Sequence, residues 1–486
     1  MPGSSRARKV FTTIAIVALV FSPMLGYFLL RPGTDSSKGP DSGRPPGPTL
    51  PSEPVIPKTP LELNSWNNNT TILPQAKRSW TVLFYVAYDN SIGPMEAWAA
   101  DLRLLLRSGP SDEVNLVAFV DEEHDGDCRI VHINDNSSDT FPLSTVNSSW
   151  GDEVDSGNPA VLSGFLKWGV RNFPATHLNL HFLDHGGAWM GLCMDESSGG
   201  MLDAWEVRSV LLDLKNTTGQ SIDVVSCDAC YMADLEFGYE LCDCAGFLVG
   251  LETFATGQEE PGNASATIGN WMYDRILGGL KERPDWVPAA LARHQISCMN
   301  PIGPYVVSSV GCIYLQYSDA FGAADLGSLP AFTAAFDRLS RALLSNVTGP
   351  GGDPARKQFF ADVLGHPESP PAKNTESFHG QCALTGNNPF RLYDVGDLLY
   401  RLETYGGLLC DPATVKEAIQ RYDAVITGCV HGENAAIGEH PDATGLELFI
   451  PSADGKYLDQ YADTRFARDT GWDEFLRAVQ WTPLSE

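Results

Sequence analysis

Basic residues are scarce in this chain. Thirty-three Lys and Arg face 61 Asp and Glu over 486 residues, a formal net charge of −28. That shortage argues against nucleic acid or an anionic membrane surface as a partner and favours neutral or basic ones, while also aiding solubility. Internal repeats are absent, and no long low-complexity run follows residue 60, so a solenoid or fibrous architecture is excluded. What is present is globular: 43% hydrophobic and 10% aromatic residues, with length enough for one large or two ordinary domains.

The N-terminus reads as a targeting segment. Arg6, Arg8 and Lys9 precede a mostly apolar run, Val10 to Leu30, closed by Arg31. The run is long for a signal peptide, matches a bilayer span and lacks a clear small-residue cleavage site, which favours an uncleaved anchor over a cleaved signal. Positive charge on its N-terminal side sends the body of the protein across the membrane in either case. Sequons at Asn68, Asn69, Asn136, Asn147, Asn216, Asn263 and Asn346, and eleven cysteines, agree with an oxidising, extracytoplasmic location. The odd count leaves one thiol over, with the rest available for disulfides. We divide the chain into the targeting segment 1–31, a Pro/Gly/Ser/Asn-rich linker 32–78, a main domain 79–300 and a smaller α+β portion 301–486.

Two apolar runs carry the chemistry. Leu178 to Leu183 ends in Asp184-His185-Gly186-Gly187, and Ile222 to Val225 ends in Ser226-Cys227-Asp228-Ala229-Cys230. Short apolar runs separated by a helix-length segment predict neighbouring buried parallel strands, and chemistry in such sheets sits at their carboxyl ends. The alternation of strands and helices from Trp80 to Leu251 predicts an α/β fold, a mostly parallel sheet with helices on both faces. It includes a hairpin at Cys128 to Leu143, a surface hairpin at 190–202, a helix over Met232–Leu241 and a strand at Gly311–Ser318. His185 and Cys230 then share one sheet edge as base and nucleophile, 45 residues apart, close to the roughly 50 of caspase-type cysteine peptidases. Imidazole titrates near neutrality and can take or return the thiol proton. The amides of Gly186 and Cys230 are placed to hold an oxyanion, and a helix beginning at Met232 would favour the thiolate.

His185-Gly186-Gly187-Ala188-Trp189-Met190-Gly191 resembles the histidine motif of the clostripain family of cysteine peptidases, and Asp228-Ala229-Cys230-Tyr231-Met232 with Glu236 resembles its nucleophile motif. Leu251-Glu252, Glu259-Glu260-Pro261-Gly262, Trp271 to Asp274, Asp89-Asn90 and Thr444 to Glu447 are similar to further family segments, so the resemblance spans roughly 79–480. It implies a caspase-like fold and an endopeptidase cleaving peptides or proteins after Arg or Lys. By the same resemblance His185 and Cys230 form the dyad, Gly186 donates to the oxyanion, and Asp228 lies on the floor of a basic-residue pocket. A second pocket acid is expected among Glu252, Glu259 and Glu260. Relatives can self-cleave between the two motifs, where this chain offers only Arg208 and Lys215.

Other readings exist for the same residues. A catalytically inactive surface-binding module would keep the strands and lose the thiol's reactivity. Cys227-x-x-Cys230 would suit a thiol–disulfide oxidoreductase, and with Cys242 and Cys244 a zinc site. His181 is the alternative base on the same strand. No cofactor is required by the dyad chemistry, but the acidic run Asp121 to Asp127 could hold Ca²⁺ despite lacking the EF-hand spacing; a solvated acidic turn is the plainer reading.

Overall fold

The computed structural model describes residues 76–93, 97–109, 111–134, 137–253, 255, 257–260, 263–269, 271–299, 308–309, 312–313, 319–365, 375, 391–431, 440–451 and 459–480. The apolar N-terminal run, nearly all of the linker, and the sequons at Asn68, Asn69 and Asn136 lie outside the described residues, as does most of the strand expected at Gly311–Ser318. Among the described residues no helix is long and apolar enough to cross a membrane.

Strand β1 (Arg78–Ala87) is buried along all of Trp80 to Ala87, which explains its unbroken run of apolar and aromatic residues: both its faces are covered. It pairs in parallel with β2 (Val114–Asp121) on one side and β5 (Ala175–Leu183) on the other. From β5 the sheet continues in parallel to β8 (Ile222–Asp228) and β9 (Ala245–Leu251). Leu83, Tyr85, Phe182 and Val225 face one core, shared with helices Pro159–Asn172, Ala204–Thr218 and Leu329–Thr348. Val82, Phe84, Val86 and Val224 face the other, against helices Ala97–Arg107, Tyr273–Glu282 and Pro288–Cys298. The expected α/β layering is thus observed.

Three local expectations change. The hairpin β3 (Arg129–Ile133) and β4 (Ser138–Pro142) is the antiparallel edge of the main sheet. The hairpin expected on the surface, β6 (Leu192–Asp195) with β7 (Gly200–Leu202), is buried apart from its tip, Glu196 to Gly199. It folds back over the end of β1, where the Glu196 amide donates to the Asp89 carbonyl at 2.9 Å. The helix after Cys230 begins only at Leu235, because Tyr231 turns the chain through a left-handed φ of 60° and the Asp234 carboxylate caps the Phe237 amide.

The C-terminal portion completes this sheet. Strands Ala320–Asp325 and Ile426–His431 add antiparallel beyond β9, making nine strands in all. Gly445, at φ 116°, brings its carbonyl so close to strand Ala320–Asp325 that a Cβ on Gly322 would lie 1.7 Å from it. Strand Glu447–Phe449 then runs beside Asp234, and the Glu447 amide donates to the Ala233 carbonyl at 2.9 Å.

Carboxylates gather at this junction. Asp234, Asp394 and Glu447 are each 0% exposed and Glu236 is 2% exposed. Burial raises the Asp394 pKa to about 6, and burial together with Asp234 raises that of Glu447 well above the ordinary range. A group whose folded pKa is raised holds its proton in the native state, so its stabilisation is full at low pH and is lost as pH climbs through the folded value. Calorimetry should therefore find a higher Tm near pH 5.5 than near pH 8, at roughly constant ionic strength. A Tm that rises over that interval would contradict this assignment.

Candidate active site

The parallel pairing of β5 with β8 sets the site. Leu183 is in register with Asp228, so both chains leave the sheet at one level, and the Asp184 amide donates to the Asp228 carbonyl at 3.3 Å. The two loops then touch. A Cβ on Gly186 would lie 2.3 Å from the Cys230 carbonyl oxygen and 3.0 Å from the Ala229 Cβ. Glycine is required at 186 because the backbones approach too closely for any side chain. Gly186 also faces Leu192 in an antiparallel bridge whose hydrogen bonds run from Gly187 to Gly191 and from Cys193 to His185. The Gly186 amide is therefore not used in that bridge.

His185 and Cys230 are 5% and 6% exposed. Burial lowers the His185 pKa to about 4 and raises the Cys230 pKa to about 12. The Ala255 amide, donating to Cys230 Sγ at 3.2 Å, offsets part of the rise. Near neutral pH the resting pair is a neutral imidazole and a neutral thiol, not an ion pair. The helix that was expected to favour the thiolate does not do so: it starts five residues after Cys230 and carries the Asp234 carboxylate at its N-terminus.

Ser91 is a site residue that the sequence did not reveal. Its Oγ lies 3.0 Å from His185 Nε2. The preceding Asn90 braces the same loop, donating from Nδ2 to Asp184 Oδ1 at 2.7 Å and to the Met194 carbonyl at 2.8 Å. Met194 in turn donates its amide to Asp184 Oδ2 at 2.5 Å. On the other side, Trp189 packs edge-on against Phe449 and Tyr461, whose amide and hydroxyl respectively both bind Glu236 Oε1. Glu236 of the nucleophile motif thereby ties the C-terminal portion to both loops.

Asp228 is half-buried beside the nucleophile and accepts from the Tyr273 hydroxyl at 2.9 Å. Burial raises its pKa to about 7 against that hydrogen bond. The acid beside it is Asp101, from helix Ala97–Arg107, which accepts from the Tyr88 hydroxyl at 3.2 Å. Burial and then the Asp228 charge raise the Asp101 carboxyl. Glu252 is placed elsewhere: it is fully buried and hydrogen-bonds the Asp394 carboxyl. Glu259 and Glu260 lie on a strand, Gly257–Glu260, of a separate two-stranded ladder. The one signal for Asp101 was its acidic character on an otherwise apolar helix face, which is weak without the fold.

The competing assignments separate cleanly. His181 is a core residue, stacked on Phe84, bonded to Asn179 Oδ1 at 2.8 Å and lowered by burial to a pKa of about 3. Cys227 points into the sheet core with its thiol pKa raised by burial, and among the described residues Cys227, Cys230, Cys242 and Cys244 form no common metal-binding group. Cys128, Cys193, Cys227, Cys230, Cys242, Cys244, Cys298, Cys410 and Cys429 are free thiols. Arg208 and Lys215 both lie within helix Ala204–Thr218 and bind Asp243, so neither offers the extended backbone that a peptidase cleaves.

Comparison with known proteins points to one family. Residues 85–301 match the profile of the clostripain family. That match covers just under half of the chain. Its fold is similar to a secreted C11 cysteine protease from Bacteroides thetaiotaomicron bound to an irreversible peptide inhibitor, at 15% identity and TM-score 0.53, covering 83% of this chain and 100% of that one. An inactive zymogen C11 protease from Parabacteroides distasonis is similar at 16% identity and TM-score 0.52, covering 82% and 99%. No curated protein matches. The match supports a cysteine peptidase, and the likeness to C11 protease structures supports a caspase-like sheet.

The neutral resting pair gives a direct test on this clostripain relative. Iodoacetamide alkylation of Cys230 should speed up about tenfold per pH unit from roughly pH 7 to 9, following thiol ionisation. A rate already at its plateau near pH 6 would show an ion pair instead.

Proposed function

We propose that this protein is an exported endopeptidase that cleaves after Arg or Lys through Cys230 and His185. One observation carries the reading: Gly186 lies against the Cys230 carbonyl, so base, nucleophile and oxyanion donor share one sheet edge beside the Asp228 and Asp101 pocket. The two acids receive hydrogen bonds from Tyr273 and Tyr88; Arg103 lowers the Asp101 carboxyl, whereas Asp228 has no positive charge among the groups that shift it. A substrate guanidinium or ammonium supplies that charge, and guanidinium adds paired hydrogen bonds.

In the proposed reaction Ser91 holds His185 Nε2, leaving Nδ1 to exchange a proton with Cys230. The thiol proton passes to the imidazole as Sγ attacks the carbonyl carbon after the basic residue. The amides of Gly186 and Cys230 hold the oxyanion. The imidazolium then protonates the leaving amine, and water hydrolyses the thioester, returning the thiol. The N-terminal charge and apolar pattern support export, as do the exposed sequons at Asn216 and Asn346. The Bacteroides relative is described as secreted.

Cys230→Ala and His185→Ala should each abolish cleavage of Arg- and Lys-peptides while leaving the fold intact by circular dichroism. Either variant retaining wild-type cleavage would remove the dyad. Asp228→Asn should cost about 2–5 kcal/mol in kcat/KM for Arg peptides, the loss expected on breaking an enclosed charge pair. In the wild type, kcat/KM for Arg peptides should fall about tenfold per pH unit below pH 7, because the protonated carboxyl cannot pair a cation. Equal activity on Arg and Leu peptides would contradict the pocket. Ser91→Ala should lower kcat more than it changes KM, with Ser91→Thr restoring part of it.

A further inference from the structure

Among the described residues, one hydrogen bond reaches Cys230 Sγ, and it comes from neither of the two loops. The donor is the amide of Ala255, at 3.2 Å. A backbone N–H aimed at sulfur favours the thiolate over the thiol, because the bond becomes charge-assisted when the proton leaves. Ala255 itself is exposed, so its amide keeps that aim only if the chain leading to it is fixed.

Three contacts fix it. The Glu252 amide donates to the Ala320 carbonyl at 2.9 Å, and the Tyr231 amide donates to the Thr253 carbonyl at 3.0 Å. The first ties the chain to strand Ala320–Asp325, and the second ties it to the residue after the nucleophile. The third contact is made by a side chain. Thr253 Oγ1 accepts the Ala320 amide at 3.3 Å and donates to Asp319 Oδ1 at 3.4 Å. Thr253 is 4% exposed and Asp319 0% exposed, and a buried hydroxyl that both accepts and donates is held in one rotamer.

Taking Cys230 as the nucleophile, we propose that Thr253 and Asp319 are positioning residues that hold the Ala255 amide on its sulfur. The C-terminal portion thereby reaches the reacting atom, 66 residues in sequence from Thr253. Asp319 acts on the thiol in two opposed senses. Its carboxylate anchors Thr253, while its charge, with those of Asp228 and Asp184, disfavours the thiolate. The remaining titratable group at the site, His185, is neutral near pH 7. Asparagine at position 319 keeps an acceptor for Thr253 and removes the charge, so the two senses can be separated.

The test reads iodoacetamide alkylation of the Cys230 peptide by mass spectrometry at pH 8 in the full chain, a measurement that needs no peptidase activity. Thr253→Val, nearly the same shape without the hydroxyl, should slow alkylation by about threefold. Losing a hydrogen bond to a charged group shifts ionisation roughly tenfold, and the more basic thiolate regains about half of that in nucleophilicity. Thr253→Ser should restore the rate. Ala255→Pro, which deletes the donor at an exposed position, should slow alkylation as Thr253→Val does and carries the test if that variant does not fold. Asp319→Asn should speed it up. A merely structural role would loosen the site and speed up every variant alike. Thr253→Val or Ala255→Pro alkylating at or above the wild-type rate overturns the proposal, as does Asp319→Asn alkylating more slowly. Cleavage that persists in Cys230→Ala would instead remove the peptidase reading on which the proposal rests.

Discussion

The contact on which the rest depends is the backbone approach of Gly186 to the Cys230 carbonyl. It exists because β5 and β8 pair in parallel with Leu183 opposite Asp228, so two loops leave the sheet at one height with no side chain between them. A shift of register by one residue would turn each strand's apolar set to the other face and carry the loops apart. The sheet's burial on both faces forbids that shift, since Phe182, Leu183, Val224 and Val225 are each committed to a core. Packing energy spread over two cores is thereby converted into the position of two reactive atoms.

Around that contact the protein concentrates carboxylates in places that water barely reaches. One group, Asp234, Glu236, Asp394 and Glu447, joins the C-terminal strands to the nucleophile segment. A second, Asp101 and Asp228, is held by two tyrosine hydroxyls beside Cys230. A third, Asp89, Asp121 and Asp195, lies behind the histidine loop. Burial raises carboxyl pKa values in each group. The net charge of −28 is thus not only a solvated surface property.

Periodicity made the parallel sheet legible because strands covered on both faces have unbroken apolar runs, as in Trp80 to Ala87. The dyad candidates were legible because each run ends abruptly in a reactive side chain. Beyond residue 300 the pattern was harder to read. Strand Ala320–Asp325 contains Ala, Gly and a single Phe, and its burial comes from Gly445 and β9, which lie far away in sequence. The roles of Glu236 and Thr444 to Glu447 were visible only as motif letters; their hydrogen bonds to Phe449, Tyr461 and Asp394 explain them.

The sequence by itself determined the layered α/β class and offered the candidate base and thiol, because hydrophobic period and residue type are local properties of the chain. It also placed an acid two residues before the nucleophile. Only the tertiary structure decided which acid joins Asp228, choosing Asp101 over Glu252, and only it brought Ser91 to His185 and Asp89 to Asp195. Those pairings span 94 to 127 residues, and no local pattern encodes a meeting fixed by the order and register of strands. The protonation of the two candidates depends on tertiary structure in the same way, since burial lowers the His185 pKa and raises that of Cys230.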